Sequence, residues 1–115
     1  MAITATFNAD KHLNEKLSAV LGASISAKCI VEKDMTITHV SFYNQSTGTT
    51  FTSAASVVNG ALTVVSSTST LGTNTAEEKE STDLSNTTVS DGATITLTAG
   101  DQATYIVVTF ESLQE

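Results

Sequence analysis

The sequence predicts a mainly β protein: an antiparallel β-sandwich or jelly roll of about eight short strands with one short N-terminal helix. Three observations carry this. Apolar residues recur with period two through most of the chain, and Gly, Asn and Asp punctuate it at short intervals. Composition is the third. The 115 residues are 40% apolar and 15% charged, enough for one core, with Ser and Thr supplying most of the polar surface. A single domain over 1–115 is expected, with 1–22 a strand-helix segment and 66–86 an acidic Ser/Thr-rich loop.

Ile3, Ala5 and Phe7 alternate with Thr4 and Thr6, which predicts a short half-buried strand. Asn8 or Asp10 then caps a predicted helix over 10–21. Its apolar residues Leu13, Leu17, Val20 and Leu21 recur at helical spacing and stop at Gly22. From Ile25 the period returns to two, with Ala27, Cys29 and Val31 on one face. Residues 35–43 form another strand. Its apolar parity shifts from Met35 and Ile37 to Val40 and Phe42, so a bulge is expected near Thr38-His39.

Asn59-Gly60 predicts a two-residue type I′ hairpin turn, because both residues tolerate positive φ. That turn pairs Val58 with Ala61, Val57 with Leu62 and Ala55 with Val64, putting Ala55, Val57, Leu62 and Val64 on one face. Turns at Ser46-Thr47-Gly48, Leu71-Gly72, Asp91-Gly92 and Gly100-Asp101 bound further strands near 49–52, 87–89, 94–98 and 104–111. Residues 66–86 hold almost no large apolar side chain and collect Glu77, Glu78, Glu80 and Asp83, which reads as a solvated loop. The alternative is a capping box at Thr75-x-x-Glu78 opening one helical turn.

The same residues exclude several functions. The net charge is −7, and the five basic residues are all Lys, so nucleic-acid binding is not expected. No apolar run approaches the ~20 residues of a membrane span. The first ten residues lack a basic region followed by an apolar one, so no secretory signal is expected. Cys29 has no second cysteine to pair with and shares the apolar parity of its strand, which predicts an inert core thiol. His12 and His39 lack ligand-spaced partners, and the acids of 66–86 lack the Gly-punctuated order of a calcium loop. No metal, cofactor or catalytic residue is predicted. Asn44-Gln45-Ser46 and Asn86-Thr87-Thr88 match the glycosylation pattern, as chance matches in a Ser/Thr-rich chain.

Asp101, Ala103 and Tyr105, within residues 97–107, resemble the corner of immunoglobulin-like domains, where a Tyr hydroxyl bonds back to the backbone. Only ten residues follow Tyr105 and the chain has no Trp, so the resemblance implies a β-sandwich of another kind. As a whole, the Ala- and Thr-rich strands, the short leading segment, the low charge and the strand Tyr105-Ile106-Val107-Val108-Thr109-Phe110-Glu111 resemble the decoration, or cement, proteins of tailed-bacteriophage heads. This implies a non-enzymatic virion protein, made in the host cytoplasm, that binds the major capsid protein on the outer shell, often as a trimer.

Edge strands point the same way. Monomeric sheets usually blunt their edges with Lys or Pro, and this chain has no Pro and few Lys, so a neighbouring subunit is expected to cover them. Ile3, Phe7, Leu13, Leu17, Val20 and Leu21 are the expected subunit or capsid contacts. The alternative function is an adhesin or carbohydrate-binding module.

Overall fold

The computed structural model describes residues 4–6 and 14–112. Ten strands lie within them: β1 (Thr4–Thr6), β2 (Asn14–Leu21), β3 (Ser26–Ile30), β4 (Met35–Asn44), β5 (Ser56–Asn59), β6 (Leu62–Ser66), β7 (Ala76–Glu80), β8 (Thr88–Val89), β9 (Thr94–Thr98) and β10 (Thr104–Ser112). They build two sheets, ordered β1-β3-β9-β5-β6 and β2-β10-β4-β7, with β8 paired to β4. All pairings are antiparallel except β1 with β3. The fold is mainly β and sandwich-like.

Period-two sequence explains the core. Leu21, Ile37, Val40, Phe42, Ile106, Val108 and Phe110 face inward from the second sheet, and Ala27, Cys29, Val57, Ile95 and Leu97 face inward from the first; all are buried. The expected bulge is present. Thr109 pairs with His39 and Phe110 with Ile37, so Thr38 is the extra residue, and the shift lets Ile37 and Val40 both reach the core.

The N-terminal helix is not formed. Residues 14–21 are the strand β2, paired residue by residue with β10 from Glu111 opposite Asn14 to Thr104 opposite Leu21. The spacing of Leu17, Val20 and Leu21 fits a helix, but Leu17, Ala19 and Leu21 also alternate, and pairing with β10 holds the segment extended where an isolated helix of this length is only marginal. Val20 therefore changes sides. It points outward at 57% exposure while Leu21 is buried.

The hairpin turn lies one residue further on. Asn59 pairs with Leu62, so Gly60 and Ala61 are the central residues. Only the first has positive φ, at +64°, the pattern of a type II′ turn rather than I′. Asn59 serves as a tie instead, its Nδ2 donating to the carbonyls of Asn86 (2.9 Å) and Thr88 (3.0 Å). A bulge at Val64 follows, so Val64 and Val65 are both buried while Leu62 is 58% exposed, off the face expected for it. Open space surrounds the Gly60 Cα. Gly60→Val is thus expected to cost about 1–2 kcal/mol from backbone strain alone, seen as a lower Tm with unchanged β-type circular dichroism.

Two further expectations change. Residues 49–52 form no strand, because Phe51 is buried and its N–H goes singly to Leu71 O. Within 66–86, Ala76–Glu80 is the edge strand β7, continued by a 3-10 turn, Ser81–Asp83, in which Glu80 N–H donates to Asp83 Oδ2 (3.0 Å). It stays largely exposed, and periodicity misses it because one face is solvent and the other is charged. Glu77 and Lys79 take the inward parity and pair at 3.1 Å, with Glu77 also accepting Thr68 N–H at 2.7 Å. Inward charges of this kind blunt an edge strand against further pairing.

Candidate functional site

The outer face of the second sheet carries the most distinctive exposed surface. Strand register sets side chains there in three rows running β2, β10, β4, β7: Val20–Tyr105–Tyr43–Ala76, Ser18–Val107–Ser41–Glu78 and Lys16–Thr109–His39–Glu80. Val20 and Tyr105 are exposed; Tyr43 and Val107 are half-buried. Cross-strand pairing puts Tyr105 between Val20 and Tyr43, and the Tyr43 hydroxyl donates to Asn74 Oδ1 at 3.2 Å. An apolar and aromatic strip thus crosses three strands.

Beside it lies a polar cluster. His39 Nε2 is 2.5 Å from Glu78 Oε1, its Nδ1 is 3.7 Å from Glu80 Oε1, and Ser41 Oγ donates to Glu78 Oε2 at 3.2 Å. Ser, His and Glu are all present, but the carboxylate stands in the middle and Ser41 bonds to it, not to the imidazole. A nucleophilic triad needs the base on the hydroxyl. The arrangement is therefore not that of a nucleophilic triad. Among the described residues no group of three His, Cys, Asp or Glu is placed to hold a metal ion.

Of the expected contact residues, Ile3, Phe7 and Leu13 lie outside the described residues. Leu17 and Leu21 face the core, and Val20 alone sits on the exposed strip. Tyr43, Tyr105 and Val107 are the strip residues that the sequence reading missed. Their signal was available: they occupy the outward parity of two well-marked strands, where a polar residue is expected.

The Asp101-x-Ala103-x-Tyr105 run does not make an immunoglobulin corner, because Tyr105 faces outward on β10. Asp101 clamps the 51–53 loop instead, accepting from Thr52 Oγ1 (2.6 Å), Thr52 N–H (2.7 Å) and Ser53 N–H (3.0 Å). The Thr52 hydroxyl first, then the backbone donors, pull its pKa from 3.8 to about 2. A folded-state value below the unfolded one means that the clamp stabilises fully above the unfolded pKa and fades as pH falls through the folded one. The Tm difference between the wild type and Asp101→Asn is expected to be constant near neutrality and to close between pH 4 and about 2. A pH-independent difference would remove the clamp.

The two glycosylation matches part company. Asn44 is fully buried and its Nδ2 donates to Thr49 O and Leu71 O, both at 3.0 Å, so that nitrogen is inaccessible. Asn86 lies in an exposed turn at φ 55°, with Nδ2 donating to Thr63 O at 2.8 Å.

These features define a mainly β, sandwich-like fold with an apolar and aromatic strip on one outer face. No family model matches the sequence, and no curated protein does. Among solved structures, the fold is similar to part of a β-glucosidase from Paenibacillus barengoltzii, at a TM-score of 0.52 and 11% identity. That match covers 94% of this chain and 11% of the glucosidase chain. A periplasmic inhibitor of g-type lysozyme from Aeromonas hydrophila also matches, at a TM-score of 0.42 and 8% identity over 96% of this chain and 97% of that one. At these identities the glucosidase likeness is one of fold.

Proposed function

We propose that this chain is a non-enzymatic attachment protein of a virion, binding the major capsid protein on the outer shell and stabilising it. The observation that supports this reading is the strip Val20–Tyr105–Tyr43 with Val107 beside it: a flat apolar and aromatic surface on an otherwise Ser/Thr-rich, acidic molecule. Contiguous exposed apolar area of this kind marks interaction surfaces, and Tyr anchors are enriched in them. The capsid as the partner, and a trimer as the functional unit, come from the sequence's resemblance to cement proteins.

Co-sedimentation with emptied phage heads tests the reading. The wild type is expected to sediment with heads, and Tyr43→Ser/Tyr105→Ser to lose affinity by about tenfold or more at unchanged Tm. Equal sedimentation of the double variant would acquit the strip, and no sedimentation of the wild type would sink the capsid reading. Light scattering of free and head-bound protein tests the trimer; a monomeric mass in both removes it.

A second reading, carbohydrate binding, is favoured by one observation. Two neighbouring tyrosines flanked by His39, Ser41 and Glu78 offer a stacking surface beside hydrogen-bonding groups. Saturable binding of the purified chain on a glycan array, lost in the same double variant, would select it.

A further inference from the structure

Asn59-Gly60 carries a chemistry that its place in the hairpin does not use. Of the six asparagines in the chain, only Asn59 precedes a glycine. Such a pair is the most reactive toward spontaneous deamidation, because glycine has no Cβ to shield its backbone nitrogen. That nitrogen, deprotonated by hydroxide, attacks the asparagine Cγ; the bond from Cγ to Nδ2 breaks, ammonia leaves and a cyclic imide forms. Water then opens the imide at either carbonyl, giving aspartate or isoaspartate. The net change is one water taken up and one ammonia released.

The structure opposes each step at this position. Closing the imide requires the Asn59 Cβ and the Gly60 nitrogen to eclipse one another about the Asn59 Cα–C bond, whereas Asn59 ends β5 and its extended backbone turns them well apart. The nucleophile is engaged, since Gly60 N–H donates to Thr94 O at 2.9 Å. So is the leaving group: Asn59 Nδ2 donates to Asn86 O at 2.9 Å and Thr88 O at 3.0 Å. Asn86 Nδ2 in turn donates to Thr63 O at 2.8 Å, and Thr63 pairs with Val58 in the same hairpin. The hairpin end and the 86–88 turn therefore hold each other. Neither is deeply placed. Asn59 is half-buried and Gly60, Asn86 and Thr88 are exposed, so local opening frees the pair without global unfolding.

We infer that Asn59-Gly60 is a modification site that the fold keeps latent: intact while the hairpin end is docked, and converted one way to aspartate or isoaspartate when it lifts. A carboxylate cannot donate to the Asn86 and Thr88 carbonyls, and isoaspartate adds a carbon to the main chain at the turn. Each converted molecule thus loses the tie between the hairpin and the segment leading into β8. This inference rests on the hairpin end and stands apart from the capsid reading.

Peptide mapping by mass spectrometry tests it on the full chain, incubated at one temperature and one mildly alkaline pH in native buffer and in denaturant. In denaturant, Asn59 is expected to convert ahead of Asn44, Asn74 and Asn86; in native buffer its conversion should be slower by about tenfold or more. Equal rates at Asn59 in the two states would overturn the proposal, as would conversion in denaturant no faster there than at the other asparagines. Asn86→Gly removes the bond to Thr63 while keeping positive φ available. It should raise the native-buffer rate at Asn59 several-fold and leave the rate in denaturant unchanged; an unaltered native rate would overturn the latch. Amide hydrogen exchange of the wild type gives a measure independent of that variant's stability. The Gly60 amide is expected to be protected, and free exchange at Gly60 would also overturn the proposal. Asn59→Asp copies one product and should lower the Tm by a few degrees at unchanged β-type circular dichroism. An unchanged Tm would mean that the converted chain redocks, which overturns the one-way step.

Discussion

Asn44→Ala is expected to lower the unfolding free energy by about 3 kcal/mol. Asn44 ends β4 with its side chain fully buried, and all of its amide capacity in the structure is directed to one task. Nδ2 donates to Thr49 O and Leu71 O, and Oδ1 accepts Ser46 N–H at 2.9 Å. Its backbone ties down the neighbouring segment too, donating to Thr75 O and accepting from Asn74 N–H. Alanine leaves Thr49 O and the Ser46 N–H without these partners and Leu71 O with the Phe51 N–H alone, and each unmet buried group costs roughly 1–3 kcal/mol. Chemical denaturation is the measurement: the midpoint should fall with the m-value unchanged. Asn44→Asp should be at least as damaging, because a carboxylate cannot donate to the two carbonyls. A midpoint shift worth less than about 0.5 kcal/mol for either variant would mean that the 45–50 and 71–75 segments are held by other contacts.

Gly100→Ala is expected to cost about 2–3 kcal/mol, more than a one-methyl change usually does. A Cβ at Gly100 would lie 2.5 Å from Ser53 O and 3.0 Å from the Phe51 ring. Neither neighbour yields easily. Ser53 and Thr52 are held by Asp101, and Phe51 is buried in the core. Combining Gly100→Ala with Asp101→Asn separates the causes. If the clamp holds the 51–53 loop against Gly100, the double variant should lose less than the sum of the single losses. Strict additivity would show that the loop is positioned independently of the clamp.

Much of the fold was legible in the sequence, for a local reason. Where one face of a strand is buried and the other solvated, alternation records the strand directly. Residues 26–30, 94–98 and 104–111 are examples, and the parity shift in 35–43 placed a bulge near Thr38-His39, where Thr38 is the extra residue. Cys29 on the apolar parity likewise lies in the core. The candidate site was less legible. Val20 was picked out as part of a helical stripe, whereas its exposure comes from strand parity, and Tyr43 and Tyr105 became neighbours only because β4 and β10 pair in one register.

The sequence by itself determined the mainly β class and the spacing of most strands, because these depend on composition and on periodicity within a few residues. Tertiary structure alone decided three things. It made 14–21 a strand, since leucine spacing there satisfies both periods and the ladder to β10 supplies the hydrogen bonds. It moved the hairpin turn to Gly60-Ala61, since the cross-loop bonds of Asn59 to Asn86 and Thr88 keep Asn59 in the strand. It drew the charged stretch Ala76–Glu80 onto the edge of β4, where backbone pairing outweighs poor strand propensity. Each choice turns on partners dozens of residues away, and the free energy of those contacts is not written in any local pattern.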